Sequence, residues 1–171
     1  IGAVYLRCRD EAGRFSLERL VERIEGVPVG AIEMKLSQGA KPGLGGLLPA
    51  AKVTEEIARI RGVPAGRDCA SPSYHSAFSD VDGLIAFVER IADATGLPVG
   101  IKSAVGDLGF WETLAERMAA TGDGPDFISV DGGEGGTGAA PLAFSDHVAM
   151  PFKLAISRVY PCFARAGIVE D

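Results

Sequence analysis

Apolar residues recur at Leu17, Leu20, Val21 and Ile24, with Glu18, Arg19, Glu22 and Arg23 on the opposite face. That spacing predicts an amphipathic helix early in the chain. Residues 31–37 then predict a strand, followed by a long glycine-rich loop to about residue 50. Thr54 is placed to cap a short helix carrying Ile57 and Ile60, with Gly62 and Pro64 as its stop. Cys69 and Ala70 read as a short strand running into Ser71 and Pro72. The clearest stripe is Leu84, Phe87, Val88, Ile91 and Ala92, a helix capped by Ser79 and ended by Gly96. Pro98 opens a strand over 99–103. Trp111, Leu114, Ala115 and Met118 point inward from a helix over 110–120, and 127–130 is the next strand. The stretch from Ser145 to Arg165 reads as a final helix, broken or bent near Pro151 and Pro161.

Strands near 31, 68, 98 and 126 thus return about every thirty residues, each followed by a loop and a helix. Such alternation with apolar strands predicts a parallel sheet covered by helices. Two architectures satisfy it, an open doubly wound sheet and a (β/α)8 barrel. A barrel needs ~250 residues, so this chain would supply about five of its eight units. Layout alone favours the open sheet, which would be complete at this length. The first residue is Ile1 and the last residues begin no new element, so a missing N-terminal stretch is expected.

Composition narrows the class. At 47% hydrophobic and 23% charged over 171 residues, the chain has the profile of one globular domain. A net charge of -6 argues against a nucleic-acid footprint, and no apolar run or leader suggests a membrane or secretory segment. Cys8, Cys69 and Cys162 have no spacing that suggests disulfides or zinc, so no metal site is expected and a cytoplasmic setting is the natural one. Glycine is the outlier, with 23 residues concentrated in two loops.

In either architecture ligands collect at the carboxyl ends of the strands, where three unusual segments fall. Residues 35–49, KLSQGAKPGLGGLLP, put two cations and an amide (Lys35, Gln38, Lys41) three apart in a stiff loop. They could cradle a dicarboxylate or a flavin carbonyl edge, or be solvated loop residues. Lys35 lies on the strand itself, where burial would demand a partner. Lys102 sits inside the apolar strand VGIKSAVG and should face an anion or an electron-rich ligand edge, unless it snorkels to the rim. Residues 131–141, DGGEGGTGAAP, would leave glycine N–H groups and the Thr137 hydroxyl exposed to a phosphate. This loop fits neither the dinucleotide fingerprint nor the Walker pattern. His75 and His147 are isolated and are expected to be structural.

Taken in order, KLSQGAKPG, SPSYHSAFS, VGIKSAVG and DGGEGGTGAAP resemble the FMN-binding synthase domain of glutamate synthases, above all the large-subunit-like branch without a fused glutaminase domain. The likeness covers nearly the whole chain and reverses the choice of architecture. It implies an α/β fold that is a partial (β/α)8 TIM-type barrel, with residues 1–171 a single domain from its middle portion. It also implies glutamate biosynthesis by an oxidoreductase. Ammonia, free or derived from glutamine, and 2-oxoglutarate give 2-iminoglutarate, which reduced FMN converts to L-glutamate. The electron donor would be a reduced pyridine nucleotide subunit or ferredoxin, and a homo-oligomer is compatible with it. By the match Lys35, Lys41 and Arg61 would hold substrate carboxylates, Gln38 and Lys102 would line the flavin, and Gly133, Gly135, Gly136 and Thr137 would lie beside the cofactor. No residue is assigned a catalytic role.

The chain departs from the family pattern in Leu44 and Leu47, where full-length glutamate synthases carry an acidic residue and a glutamine. The family's iron–sulfur cysteines would lie beyond Asp171, so a cluster could belong only to the full-length protein; Cys162 is not one of them. Three other readings stay open: a relative that makes another amino acid from a 2-oxo acid and an amine, a flavin-binding subunit without catalysis, and an unrelated phosphosugar-binding barrel.

Overall fold

The computed structural model describes residues 1–2, 5–134, 140–144 and 147–169. Among the described residues eleven elements follow one another: α1 (Leu17–Ile24), β1 (Ile32–Lys35), β2 (Leu47–Leu48), a 3-10 turn (Ala50–Lys52), α2 (Glu55–Arg61), β3 (Cys69–Ala70), α3 (Val81–Thr95), β4 (Val99–Ala104), α4 (Gly109–Thr121), β5 (Ile128–Asp131) and α5 (Phe152–Arg165). Their ends are chemically marked. Ser16, Thr54 and Asp80 accept the N–H of Arg19, Ile57 and Gly83 at the starts of α1, α2 and α3. Gly62, Gly96 and Gly122 end α2, α3 and α4 in the left-handed conformation that glycine adopts without steric cost. The cap of α3 is therefore Asp80 and not the expected Ser79. Either type can cap, but only Asp80 carries its oxygen to within 2.7 Å of the Gly83 amide.

β1, β4 and β5 form a parallel sheet in that order, with Ile32 opposite Val99 and Ile101 opposite Ile128. Gly2 bridges to Lys35 in parallel on the outer side of β1. Strand order thus follows chain order, with no reversal among the described strands. α1 packs on α3, α3 on α4 and α4 on α5, so the helices follow the same sequence as the strands they connect. The expected strand at Cys69–Ala70 is a correction: it pairs antiparallel with Leu47–Leu48 in a separate two-stranded sheet and is no repeat of the parallel one. The final helix also starts later than expected, at Phe152 behind Pro151, and continues through Pro161 to Arg165 without the expected break. Ser145 lies outside the described residues.

The sheet has two contrasting faces. Ile32, Met34, Val99, Ile101 and Val105 are buried with Leu84, Val88, Ile91, Trp111 and Leu114 in one apolar core. On the opposite face stand Glu33 and Lys35, then Gly100 and Lys102, then Ser129 and Asp131, a consequence of the two-residue period of a strand. Gly100 is glycine because the Phe127 ring occupies the space of a side chain, within 2.5 Å of where its Cβ would lie. Over that gap the Ser129 hydroxyl donates to Glu33 at 2.6 Å. Among the described residues no helix is long and apolar enough to cross a membrane.

Candidate functional site

Where β1 ends, Lys35 and Lys102 lie at the same register on neighbouring strands, both on the polar face. Lys102 is half-buried and its Nζ donates to Asp131 Oδ2 at 2.7 Å. The anion that a lysine in an apolar strand requires is thus supplied by the chain itself, from the end of the next strand. Burial alone would raise the Asp131 pKa. The Lys102 ammonium, the Gly39 amide and the nearby Lys35 outweigh it and hold the carboxyl below its usual range. Lys35, for which burial would have demanded a partner, is exposed; its Nζ donates to the side-chain oxygen of Gln38 at 3.2 Å.

Three loops close over this end of the sheet. Gly39 donates its N–H to Asp131 at 2.9 Å, and a Cβ there would fall 1.8 Å from the Gly132 oxygen. Gly45 lies as tightly on Ser71, whose carbonyl oxygen would be 1.9 Å from an added Cβ. The loop after β1 is therefore clamped between the Asp131–Gly132 turn on one side and the Ser71–Pro72 turn on the other. Close backbone approach of this kind is open only to glycine. The result is a cleft of about 260 Å³ lined by Lys35, Gln38 and Lys41, by the backbone of Gly43–Gly46, and by Ser71, Pro72 and Ser73. Leu36 and Leu44 give it an apolar portion.

Of the residues singled out in the sequence, Lys35, Gln38 and Lys41 share this cleft, and Lys102 stands beside Lys35 in the sheet. Arg61 does not line it. It ends α2 and faces a broader groove of about 1240 Å³ with Arg7, Arg9, Arg19, Arg23 and Arg59. The N–H of Gly133, expected to be free for a phosphate, is donated to Met150 at 2.9 Å, and an added Cβ would meet the Ala149 oxygen at 2.6 Å. Tight packing, not an exposed amide, is what this glycine provides. Gly135, Gly136 and Thr137 lie outside the described residues. Glu134 accepts from the Phe152 N–H and so caps α5. His75 is buried and hydrogen-bonded at both ring nitrogens, as a structural histidine should be. His147 is exposed. Two residues were missed: Ser73, overlooked within its motif, and Asp131, read only as the start of a glycine loop. The signal for Asp131 was available, since Lys102 demands an anion and Asp131 ends a neighbouring strand.

A family model described as a conserved region in glutamate synthase matches residues 12–170. The chain is 36% identical over 168 residues to the glutamate synthase large subunit-like protein YerD of Bacillus subtilis, covering 98% of this chain and 32% of that protein. To the archaeal glutamate synthase (NADPH) of Methanocaldococcus jannaschii it is 40% identical over 143 residues, 82% of this chain and 27% of the relative. It is also 35% identical over 136 residues to a ferredoxin-dependent glutamate synthase of Pyropia yezoensis, covering 78% of this chain and 8% of the other. The chain spans about a third or less of the length of these relatives.

Proposed function

The chain belongs to the glutamate synthase family, and from that premise we propose that it carries part of an FMN-dependent site that makes L-glutamate from 2-oxoglutarate and ammonia. The carrying observation is the convergence of Lys35, Gln38 and Lys41 on one cleft at the carboxyl end of a parallel sheet. Two ammonium groups within one small cleft suit the two carboxylates of a dianion and would fix its position before any chemistry. The volume lies just under the ~300–1,000 Å³ of pockets that enclose whole small-molecule ligands. That suits a short dicarboxylate, or one edge of a flavin, better than an entire mononucleotide.

The residues present fit such a cofactor at one edge. Gln38 offers an amide to a flavin carbonyl, and Lys102 has N–H donors beyond the one given to Asp131. Gly133, with Gly135, Gly136 and Thr137, would belong to the loop beside it. When bound, reduced FMN supplies a hydride. The protein's own share is to hold the substrate by its carboxylates, orient it and exclude water. Arg61, which faces the second groove and not the cleft, has no part in this proposal. The sequential strand and helix order supports a portion of a (β/α)8 barrel, whose ligands gather at this end of the strands. Ammonia, free or from glutamine, and electrons from a pyridine-nucleotide subunit or ferredoxin complete the scheme. Any iron–sulfur cluster, and a cytoplasmic homo-oligomer, belong to the full-length protein.

The direct test is Lys41→Ala in the full-length protein. Loss of one charge-assisted contact should raise KM for 2-oxoglutarate by roughly tenfold or more while bound flavin stays unchanged. Unaltered kinetics would return Lys41 to a solvated loop residue. A second reading, a relative that takes a less polar 2-oxo acid, is favoured by one observation, Leu44 in the wall of the cleft. A Leu44→Gln variant that gains on 2-oxoglutarate would speak for it.

A further inference from the structure

Beneath the cleft lies a buried chain of hydrogen bonds that the proposed chemistry does not use. Tyr5 is 1% and His75 4% exposed. His75 Nε2 lies 2.9 Å from the main-chain oxygen of Lys35. A carbonyl can only accept, so Nε2 carries the proton, and Nδ1 of the neutral ring is an acceptor. The Tyr5 hydroxyl, 2.9 Å from Nδ1, is then the donor, and its oxygen in turn accepts the Ala77 N–H at 3.3 Å. Each polar atom of the chain has one defined role. The imidazole also lies flat against Phe78, with centroids 5.0 Å apart and planes at 18°. Burial lowers the His75 pKa and raises that of Tyr5, which keeps both neutral.

The contact falls at a particular place. Lys35 is the last residue of β1, and its N–H is donated to the Ile1 oxygen on the outer edge of that strand. Its carbonyl points to the same edge, and there the partner is His75. The imidazole thus takes over the ladder at the point where the chain leaves the sheet for the cleft loop. Ser73, two residues before His75, already lines the cleft. Movement of the Lys35 carbonyl therefore moves the Lys35 ammonium, Gln38 and the first turn of the loop together.

We propose that His75, oriented by Tyr5, is a positioning residue that acts through the Lys35 main chain to set where the cleft presents its cations to an anionic substrate. The inference rests on the reading of the cleft as a 2-oxo-acid site. It assigns His75 no contact with substrate or cofactor.

The test uses full-length protein and 2-oxoglutarate, with Lys35→Ala, His75→Ala, Tyr5→Phe and the double variant Lys35→Ala/His75→Ala. His75→Ala should raise KM roughly tenfold with flavin content retained, because displaced binding groups lose their geometry. Tyr5→Phe keeps the ring and removes only the donor to Nδ1. It should raise KM in the same direction by a smaller factor, and it serves if His75→Ala does not fold. His75→Gln, which can offer an amide N–H to the Lys35 oxygen, should recover most of the loss. In the Lys35→Ala background, the His75 change should add a smaller factor than it does alone, since the share carried by the Lys35 ammonium is gone. If Lys35→Ala itself leaves KM unchanged, the cleft reading fails. If Lys35→Ala raises KM while Tyr5→Phe and any folded His75→Ala leave it unaltered, or the two changes multiply independently, the positioning role alone is overturned.

Discussion

Lys35 and Lys102 are the same residue type, level in register on adjacent parallel strands and on the same face of one sheet. Their surroundings differ. Lys102 is half-buried and neutralised by Asp131 at 2.7 Å, and that carboxylate also holds the Gly39 amide. Lys35 is exposed, and its side-chain partner is the neutral oxygen of Gln38. One side of the polar face is thus electrostatically closed, and the other has a cation that an incoming carboxylate can still pair with. Identical chemistry at identical depth along the strands is tied to a carboxylate in one case and left without a counter-charge among its hydrogen-bond partners in the other. What decides it is whether the neighbouring strand ends in an acid.

Perturbing the tie should have the larger consequences for stability. Gly39→Ala would force a Cβ into the Gly132 carbonyl, 1.8 Å away, and detach the cleft loop from the Asp131 turn. A loss of about 3 kcal/mol is expected from overpacking at a site where backbone meets backbone, read from the urea midpoint. A variant as stable as the parent would mean that the loop is not clamped there. Asp131→Asn should follow, with a loss of about 2 kcal/mol, since it removes the counter-charge of Lys102 while retaining an acceptor for Gly39. The contrast sharpens with Lys35→Met, which should change stability by less than about 0.5 kcal/mol and yet weaken 2-oxo-acid binding. Equal stability losses at the two lysines would dissolve the distinction between them.

Acid provides a more gradual probe. His75 resists protonation in the fold, whereas the unfolded chain takes up a proton near the ordinary value of 6.5. Stability is therefore at its fullest above 6.5 and declines as pH falls from there towards the depressed folded value. The hydrogen bond to the Lys35 carbonyl acts the other way, and burial outweighs it. Asp131 adds its own loss at lower pH. Its contribution is intact above the ordinary 3.8 and disappears as pH drops through the lower value it holds in the fold. Melting temperatures across this range should fall in two stages, and His75→Gln should remove the first stage only.

Much of this arrangement was legible in the sequence where a pattern was long enough to repeat. α3 spans fifteen residues with a sustained apolar stripe, and the strand expected at 99–103 differs from β4 by a single residue. β2 and β3 have two residues each, too few for any period, so Cys69–Ala70 was counted in the wrong sheet. Within the site, Lys35, Gln38 and Lys41 declared themselves by spacing in one loop. The Lys102–Asp131 pair and the Tyr5–His75–Lys35 chain did not, because their members are 29, 70 and 40 residues apart. Such contacts are made by topology and leave no local trace. The arginines of the second groove are likewise drawn from α1, α2 and the segment before α1, and composition hides them in a chain of net charge -6.

The register of the parallel sheet also fixes an order of assembly. Joining β4 to β5 brings together residues such as Val99 and Asp126, 27 apart, whereas joining β1 to β4 must bring Ser37 to Ser103 across 66. Loop closure makes the second step costlier by about 0.8 kcal/mol before any contact repays it. The β4–α4–β5 unit should therefore condense first, with β1 docking onto a surface already formed. Leu114→Ala in α4 should slow refolding, while Met34→Ala in β1 should chiefly hasten unfolding, each read from a stopped-flow chevron. The two lysines would then meet late: Lys102 is in place before the strand that carries Lys35 arrives, and the cleft is among the last parts of the molecule to exist.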